Sequence, residues 1–334
     1  MRYLRYTVLF LAVTAIGCVK EQNLVEVPSH FPELPVPTDN LLTREKIELG
    51  RWLFYEEALS KDSSVSCASC HIQNLAFADG KKVSVGVHGA TGQRNSPALQ
   101  NLAYYPNFFM DGGIPTLEMQ VEAPIFTEEE MDFNYFEASK RLNADNHYQK
   151  MFLAAFNKGA DAYGITRSIA AFERTMISGN SKYDQFKNGT ATLTKEEESG
   201  MSLFFSEKTG CSDCHSGFLF TDFSLVNVGL YETYLDTGYA RISRKPEDSG
   251  KFRVPSLRNV ALTSPYFHDG SGESLEEIIN HFSTGGKLHP NKDARIRRLN
   301  LSQGEQEDLV AFLHTLTDES FIQDPRFSDP KHSD

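Results

Sequence analysis

The chain has 334 residues, of which 40% are hydrophobic and 23% are charged, and its formal net charge is −12. This composition is typical of a soluble globular protein with enough residues for two ordinary hydrophobic cores. The acidic balance, without any block of Lys and Arg, excludes nucleic acid as the expected partner and leaves a basic protein partner open.

The N-terminus has the pattern of an export signal. Two arginines precede an apolar run from Tyr6 to Ile16, which is too short to span a bilayer and suits the core of a signal peptide. The tetrad that ends in Cys18, "AIGC", resembles a bacterial lipobox, so we expect residues 1–17 to be removed and Cys18 to carry lipid. An ordinary secretory signal is the alternative. The lipobox predicts a protein held by its lipid alone on the periplasmic side of a bacterial envelope membrane.

The segment after Cys18 predicts a tether, because residues 18–40 contain four prolines and no helical periodicity. Helical patterns dominate the rest. The segment "ITRSIAAFERTM" places four apolar residues on one helical face: Ile165, Ile169, Phe172 and Met176. Two capping-box patterns precede later helices: Ser274 with Glu277, and Ser302 with Glu305. Long alternating strand patterns are absent from the sequence, so we predict a mostly α protein with long loops.

An internal repeat divides the chain. The segments "LTREKIELGRWLF" (42–54) and "LTKEEESGMSLFF" (193–205) share their first two residues and a final apolar pair. Each leads into Cys-x-x-Cys-His and then Phe-x-Asp. The repeat predicts two related domains, 41–190 and 191–334. About the last 15 residues are expected to pack back on the first domain.

The repeated motif uses four of the five cysteines: Cys67, Cys70, Cys211 and Cys214. A zinc site would take both pairs as four ligands, and a thioredoxin-type pair would not need the histidine that follows. Covalent haem attachment needs all three residues, because two thioethers hold one porphyrin edge and the imidazole reaches the iron. Two copies in an exported chain favour two covalently bound haem c groups. His71 and His215 are then the proximal iron ligands.

Several longer segments resemble the bacterial dihaem cytochrome c peroxidases and their MauG-like relatives. They are "LFYEEALSKDSSVSCASCH", "RNSPAL", "AFERTMISGNSKYD", "LFFSEKTGCSDCHSG" and "FRVPSLRNVALTSPYFHDGS". The resemblance implies two c-type cytochrome domains related by a pseudo-twofold axis. It implies an N-terminal peroxidatic haem that reduces hydrogen peroxide to water. A C-terminal haem would accept electrons from a small cytochrome c or copper protein (a cupredoxin), and a homodimer is a further expectation.

The same resemblance implies the residues of the peroxide pocket. In the family a glutamine and a glutamate ten residues apart line it, and Gln120 and Glu130 match them. A carboxylate there would move a proton from the proximal to the distal peroxide oxygen. The alternative is a solvated acidic helix start capped by Thr127. Glu129 is the competing residue if the register shifts by one.

Two further expectations come from the resemblance. His88 matches a loop histidine that closes the peroxidatic iron in resting members, and an exposed loop histidine is the alternative. A calcium ion between the domains would bind Asn95 and the backbone carbonyls of Thr263 and Pro265. Otherwise Asn95 is a turn residue.

The chain departs from the family pattern at both haems. Met110 replaces the tryptophan often found between them, and the single tryptophan is Trp52. Phe282 stands where members carry a methionine or tyrosine ligand to the second iron. His281 or His289 would then replace that ligand, or the iron would lack a sixth protein ligand. We expect three further side chains to contact haem propionates: His268, Arg253 and Arg258.

These features predict a dihaem c-type peroxidase in which Glu130, helped by Gln120, transfers the proton. Two alternatives remain open. One is a MauG-like oxidase of a protein or organic substrate, because the tryptophan and the methionine are missing. The other is a non-catalytic electron-transfer cytochrome with both irons capped.

Overall fold

The computed structural model describes residues 24–331, so Cys18 and the predicted signal peptide lie outside the described residues. This part of the chain is mostly helical, as predicted. Its helices are α1 (Arg44–Phe54), α2 (Cys67–Cys70), α3 (Leu117–Phe126), α4 (Tyr135–Ala144), α5 (Asn146–Phe156), α6 (Ala162–Glu173), α7 (Lys182–Lys187), α8 (Lys195–Phe204), α9 (Ala240–Ser243), α10 (Leu275–Thr284), α11 (Gln303–His314) and α12 (Glu319–Ile322). Two short antiparallel strands, β1 (Leu225–Val226) and β2 (Phe252–Arg253), pair Leu225 with Arg253. Over residues 24–331, every helix is too short or too polar to cross a bilayer.

In the N-terminal half, α1 crosses α6 at Gly50. A Cβ atom on Gly50 would lie 1.8 Å from the Ser168 carbonyl oxygen and 2.8 Å from Phe172 Cβ. Only glycine permits this close approach. The crossing buries Leu53 and Phe54 of α1 completely.

In the C-terminal half, α8 crosses α11 at Gly200 in the same way. Its Cβ atom would lie 1.8 Å from the Asp308 carbonyl oxygen and 2.9 Å from Phe312 Cβ. The two crossings make Gly50 equivalent to Gly200, and therefore Leu53–Phe54 equivalent to Leu203–Phe204. The sequence repeat had paired residues 53–54 with 204–205. That alignment is one residue off, because α1 has 11 residues and α8 has 10, so α8 reaches its crossing glycine one residue earlier.

The predicted apolar face of α6 is confirmed for Ile165, Ile169 and Phe172, each at most 1% exposed. Met176 is buried as well, but it lies beyond the end of α6 at Glu173. Ser302 and Glu305 form the predicted capping box at α11. Ser274 accepts from the Glu277 amide at α10, but Glu277 accepts from the Glu273 amide, so that box is only half formed.

Each half has its own hydrophobic cluster. The first gathers side chains of α1 and α3–α6, and Phe321 and Phe327 join it from the end of the chain. Tyr55 also donates a hydrogen bond to the Phe327 carbonyl at 2.7 Å. The second cluster lies among α8, α10 and α11. The segment from Phe321 to Phe327 therefore packs on the N-terminal half, as predicted for this end of the second domain.

The described part of the predicted tether, residues 24–40, is packed against the rest of the chain. Phe31 is only 7% exposed and contacts the rings of Tyr104 and Phe218, one from each half. His30 lies 3.2 Å from Asp184. An aromatic anchor, together with polar contacts such as those of Asn40 with Glu118, holds this proline-rich segment in place, and no helical periodicity reveals it.

Candidate functional site

The first motif begins at α2 and places His71 just beyond its end. His71 Nδ1 lies 2.7 Å from the Phe77 carbonyl oxygen, and Phe77 has a left-handed φ of 62°. A carbonyl oxygen only accepts hydrogen bonds, so Nδ1 carries the proton and Nε2 keeps its lone pair. Burial lowers the pKa of His71, which favours the neutral ring. This is the form of histidine that binds a metal through Nε2.

The second motif repeats this arrangement. His215 Nδ1 lies 3.0 Å from the Phe220 carbonyl oxygen, and Phe220 has a φ of 54°. Burial lowers the pKa of His215 as well. Three phenylalanine rings support each motif at edge-to-face or tilted angles: Phe54, Phe77 and Phe172 in the first half, and Phe204, Phe220 and Phe312 in the second.

The four motif cysteines form no disulfide. Within the described residues, no three or more His, Cys, Asp or Glu side chains converge as metal ligands. The shared zinc site that was an alternative from the sequence is therefore not formed by these residues.

Glu130 lies beside the first motif. Its carbonyl accepts a hydrogen bond from Val87 N at 2.8 Å, and its charge raises the pKa values of Cys67 and Cys70. The side chain has a large accessible area, yet surrounding protein crowds its carboxyl group. This desolvation, with repulsion from Glu129, raises the pKa of Glu130. Among the glutamates of residues 128–130, Glu130 is therefore the one whose charge acts on both Cys67 and Cys70.

The alternative interpretation of Glu130, an acidic helix start, is wrong. Residues 128–131 form a turn, and Thr127 is the C-cap of α3. Gln120, on α3, is half-buried and lines a cleft of about 360 Å³ between the halves. Glu130 does not line this cleft, so the structure gives the two residues different surroundings.

The cleft contains the second motif and is lined mainly by apolar side chains. Arg253 lines it beneath the ring of Tyr105, and its buried Nη1 has no hydrogen-bond partner. An unpaired buried guanidinium nitrogen suits an anionic group such as a haem propionate. The cleft therefore fits a largely apolar cofactor with an acidic edge.

Arg258 lines the same cleft, and its contact with a haem propionate stays a prediction. Its Nη1 and Nη2 atoms donate to Asp184 at 2.8 and 3.0 Å, and its Nε donates to the Phe218 carbonyl. This fully buried ion pair uses the guanidinium group within the protein.

His268 lines the cleft and stacks on Phe252 at a centroid distance of 3.9 Å. Its carbonyl accepts a hydrogen bond from Asn95 N at 2.9 Å. Asn95, Thr263 and Pro265 all line the same cleft. The residues predicted to bind calcium are therefore close to the junction of the halves, although Asn95 Nδ2 already donates to the Lys81 carbonyl.

The structure gives His281 and His289 other partners than an iron. His281 Nε2 lies 3.0 Å from the Val228 carbonyl oxygen, and His289 Nδ1 accepts from the Asn291 amide at 3.0 Å. Neither histidine lines the cleft with His215, whereas Phe282 and Met110 do. The geometry does not support either histidine as the sixth ligand.

His88 has the geometry of an exposed loop histidine. Its side chain is 60% exposed, and Nδ1 lies 3.6 Å from Asp62. Its role as a ligand stays a prediction.

Glu173 and Tyr135 were missed by the sequence analysis. Both are buried, the Glu173 Oε2 atom and the Tyr135 hydroxyl have no hydrogen-bond partner, and both interact electrostatically with Cys67. The sequence did carry one sign of Glu173, because this acidic residue follows Ile165 and Ile169 at helical spacing.

Comparisons with known proteins agree with this geometry. The family model for di-haem cytochrome c peroxidase matches residues 44–192. Methylamine utilization protein MauG of Methylorubrum extorquens is 35% identical, over 91% of this chain and 88% of its own length. Cytochrome-c peroxidase IdrP1 of Denitromonas iodatirespirans is 34% identical, over 90% of this chain and 88% of its own length.

A solved structure gives the same answer for the fold. The crystal structure of a MauG-like protein associated with microbial copper homeostasis superposes with a TM-score of 0.89 and 38% identity, covering 92% of this chain and 99% of that one. The chain belongs to the di-haem cytochrome c peroxidase family, which includes the MauG proteins.

Proposed function

We propose that the protein is a dihaem c-type peroxidase. It reduces one hydrogen peroxide molecule to two water molecules, using two protons and two electrons from a small cytochrome c or copper protein. The observation that carries the proposal is the doubled unit, in which a phenylalanine carbonyl holds each motif histidine with Nε2 free. Family membership supports the same reaction class.

Each haem would be held by its motif. Cys67 and Cys70 would form thioethers to the first haem, and Cys211 and Cys214 to the second. His71 and His215 would ligate the irons through Nε2. When bound, haem supplies one-electron chemistry and a binding position for peroxide. In the second half, the apolar cleft would enclose the porphyrin while Arg253 pairs with a propionate.

Glu130 would carry the proton. Its raised pKa lies closer to neutral pH than that of an ordinary glutamate, which favours both accepting and releasing a proton. Its charge acts on both cysteines of the first motif, which supports a role beside the porphyrin that they would hold. The assisting role of Gln120 rests on the family resemblance, since this residue lines the cleft that contains the second motif.

An oxidase of a protein or organic substrate, like MauG, is the second candidate. The relatives named MauG and MauG-like favour it, as does Phe282 at the cleft in place of a ligating side chain. It differs from the peroxidase in the source of its electrons, which come from the organic substrate.

Further parts of the proposal concern location, metal and assembly. Export with a lipid on Cys18 rests on the lipobox. A calcium ion at Asn95, Thr263 and Pro265 is supported by their position in one cleft. Division into domains near residue 190 is supported by the two separate hydrophobic clusters. Homodimerisation rests on the family resemblance.

The test uses the full chain made with the haem-attachment machinery. We expect two covalent haems per chain and rapid peroxide turnover with a reduced small cytochrome c, and none without it. Peroxide-driven oxidation of an added protein or organic substrate, with no turnover of the reduced donor, would support the oxidase instead. If both haems stay six-coordinate on partial reduction and do not bind cyanide, the protein is an electron carrier and the peroxidase proposal fails.

A further inference from the structure

Glu173, in the last turn of α6, is a buried carboxyl group without a use in the mechanism above. It is 4% exposed, and its Oε2 atom has no hydrogen-bond partner. An unpaired carboxylate is costly to bury, because desolvation penalises the charged form. Burial is the main cause that raises the pKa of Glu173, to about 8.

The repeat shows which way this position faces. The crossings at Gly50 and Gly200 make Phe172 equivalent to Phe312, so Glu173 is equivalent to Leu313. Leu313 lines the cleft that contains His215. In the N-terminal half, the same position next to the motif holds a glutamate. Burial raises the pKa of the Cys67 thiol, and the charge of Glu173 adds to this effect, as expected for a carboxyl group on the side of that cysteine.

The charged residues around Glu173, Arg174 and Glu118, form an ion pair with each other. Arg174, the next residue on α6, donates to both carboxyl oxygens of Glu118 on α3, at 2.6 and 2.9 Å. Arg174 lowers the pKa of Glu173 and Glu118 raises it. From α1, the buried side chains at the α6 crossing are apolar.

Several titratable groups lie at the first motif besides Glu173, and they include Cys70, His71 and the buried Asp79, which acts on both. The Cys67 thiol of α2 would be consumed by its thioether, while Glu130 and the Tyr135 hydroxyl also interact with it. Burial raises the pKa values of both Glu130 and Tyr135. Glu173 and Asp79 are the buried carboxyl groups of this set. Asp79 accepts hydrogen bonds from Lys81 N and Ser84 Oγ, whereas Glu173 Oε2 has no partner.

We propose that Glu173 is a proton-binding site coupled to the oxidation state of the N-terminal haem, which rests on the haem attachment proposed above. Glu173 takes up one proton from solvent when the iron accepts one electron from the donor protein. It releases that proton when the iron is oxidised again. Reduction removes one positive charge from the haem, so a nearby carboxylate loses a favourable interaction and its proton affinity rises.

The coupling has a measurable size and sign. Because Glu173 binds its proton more tightly in the reduced state, the midpoint potential of this haem falls as pH rises between the two pKa values. A tenfold difference in proton affinity between the two oxidation states corresponds to about 59 mV for a one-electron couple. The C-terminal haem, with Leu313 at the equivalent position, has no such group there and serves as an internal reference.

The experiment is a spectroelectrochemical titration of both haems in the holoprotein across the pH range around 8. We expect Glu173→Gln to remove most of the pH dependence of the N-terminal potential and to leave the C-terminal potential unchanged. Glu137→Gln, at an exposed position on α4 of the same half, should behave as the wild type. An unchanged pH dependence in Glu173→Gln would overturn the proposal.

A second measurement does not depend on the variant's folding. Redox-difference infrared spectra of the wild type should show a protonated carboxylic acid band that grows on reduction of the N-terminal haem. The absence of this band would overturn the proposal even if Glu173→Gln loses its haem. Failure of the proposed function is distinguishable, because the haem content of the wild type is measured first; a chain without the N-terminal haem would refute both.

Discussion

The two halves of the molecule hold their motifs with the same parts. In each, a glycine lets two helices cross, three phenylalanines pack behind the motif, and a carbonyl oxygen fixes the histidine ring. The side chains around the motifs differ. The first half places the carboxyl groups of Glu130 and Glu173 near Cys67, and both have raised pKa values. The second half also has carboxylates near Cys214, but Asp293 among them is paired with Arg295, and the cleft beside the motif presents Leu313 and Phe282.

This difference indicates how one scaffold can serve two tasks. Carboxyl groups with raised pKa values bind and release protons, and peroxide reduction consumes protons. Apolar surroundings disfavour buried ions and charged side chains, so they suit a site that passes electrons and handles no protons. The proposed division of labour, with peroxide chemistry at the first motif and electron relay at the second, follows from these side chains and leaves the scaffold unchanged.

The largest expected effect comes from removing one motif at a time. Cys67→Ser with Cys70→Ser should remove one haem and abolish peroxide turnover, because the carboxyl groups then have no iron beside them. Cys211→Ser with Cys214→Ser should also remove one haem but leave peroxide binding at the other. Haem content by the pyridine haemochrome assay and peroxide binding by stopped-flow absorbance test this. If both double variants still bind peroxide alike, the halves do not differ as proposed.

The next effect concerns Glu130. Glu130→Gln keeps the shape of the side chain but cannot transfer a proton, so peroxide cleavage should slow by on the order of 100-fold. The raised pKa sets the sign of the pH dependence: the wild-type rate should rise as pH increases through that pKa and frees the carboxylate, and the variant should lose this rise.

Glu129→Gln is the matched control for Glu130, since Glu129 is exposed and adjacent. Its variant should keep the wild-type rate, apart from a lower pKa for Glu130 after loss of the neighbouring charge. Equal losses in both variants would assign the effect to the charge of the turn as a whole.

The helix crossings test whether the scaffold is truly repeated. Gly50→Ala and Gly200→Ala each bring a Cβ atom to 1.8 Å from a backbone oxygen, so each should destabilise the protein by about 1–3 kcal/mol. Gly304→Ala, on α11 with nothing within 4 Å, should be neutral or stabilise by about 0.5 kcal/mol. Urea unfolding monitored by circular dichroism measures all three. A large cost at only one crossing would contradict their equivalence.

Local sequence rules predicted a large part of this arrangement. The helix class, the buried face of α6 and the capping box at Ser302 depend on neighbours within a few residues, and the motifs are continuous in sequence. The pairing of Arg258 with Asp184 joins residues 74 positions apart, and the anchoring of Phe31 spans both halves. Such contacts depend on how the helices pack, which periodicity does not encode. The proposed role of Glu173 depends on its equivalence to Leu313, which follows from the two helix crossings and which the local sequence does not encode.

The smallest expected effect concerns the third residue of each crossing helix. In α8, Glu197 accepts from the Thr194 amide at 2.7 Å and completes a capping box. In α1, Lys46 occupies the same position and has no acceptor to offer the Thr43 amide. Glu197→Ala removes this box and the ion pair with Lys182, so it should cost about 1 kcal/mol, whereas Lys46→Ala should cost no more than about 0.5 kcal/mol. Urea unfolding of the two variants measures the difference. Equal costs would show that neither the capping box nor the ion pair with Lys182 distinguishes the two helices.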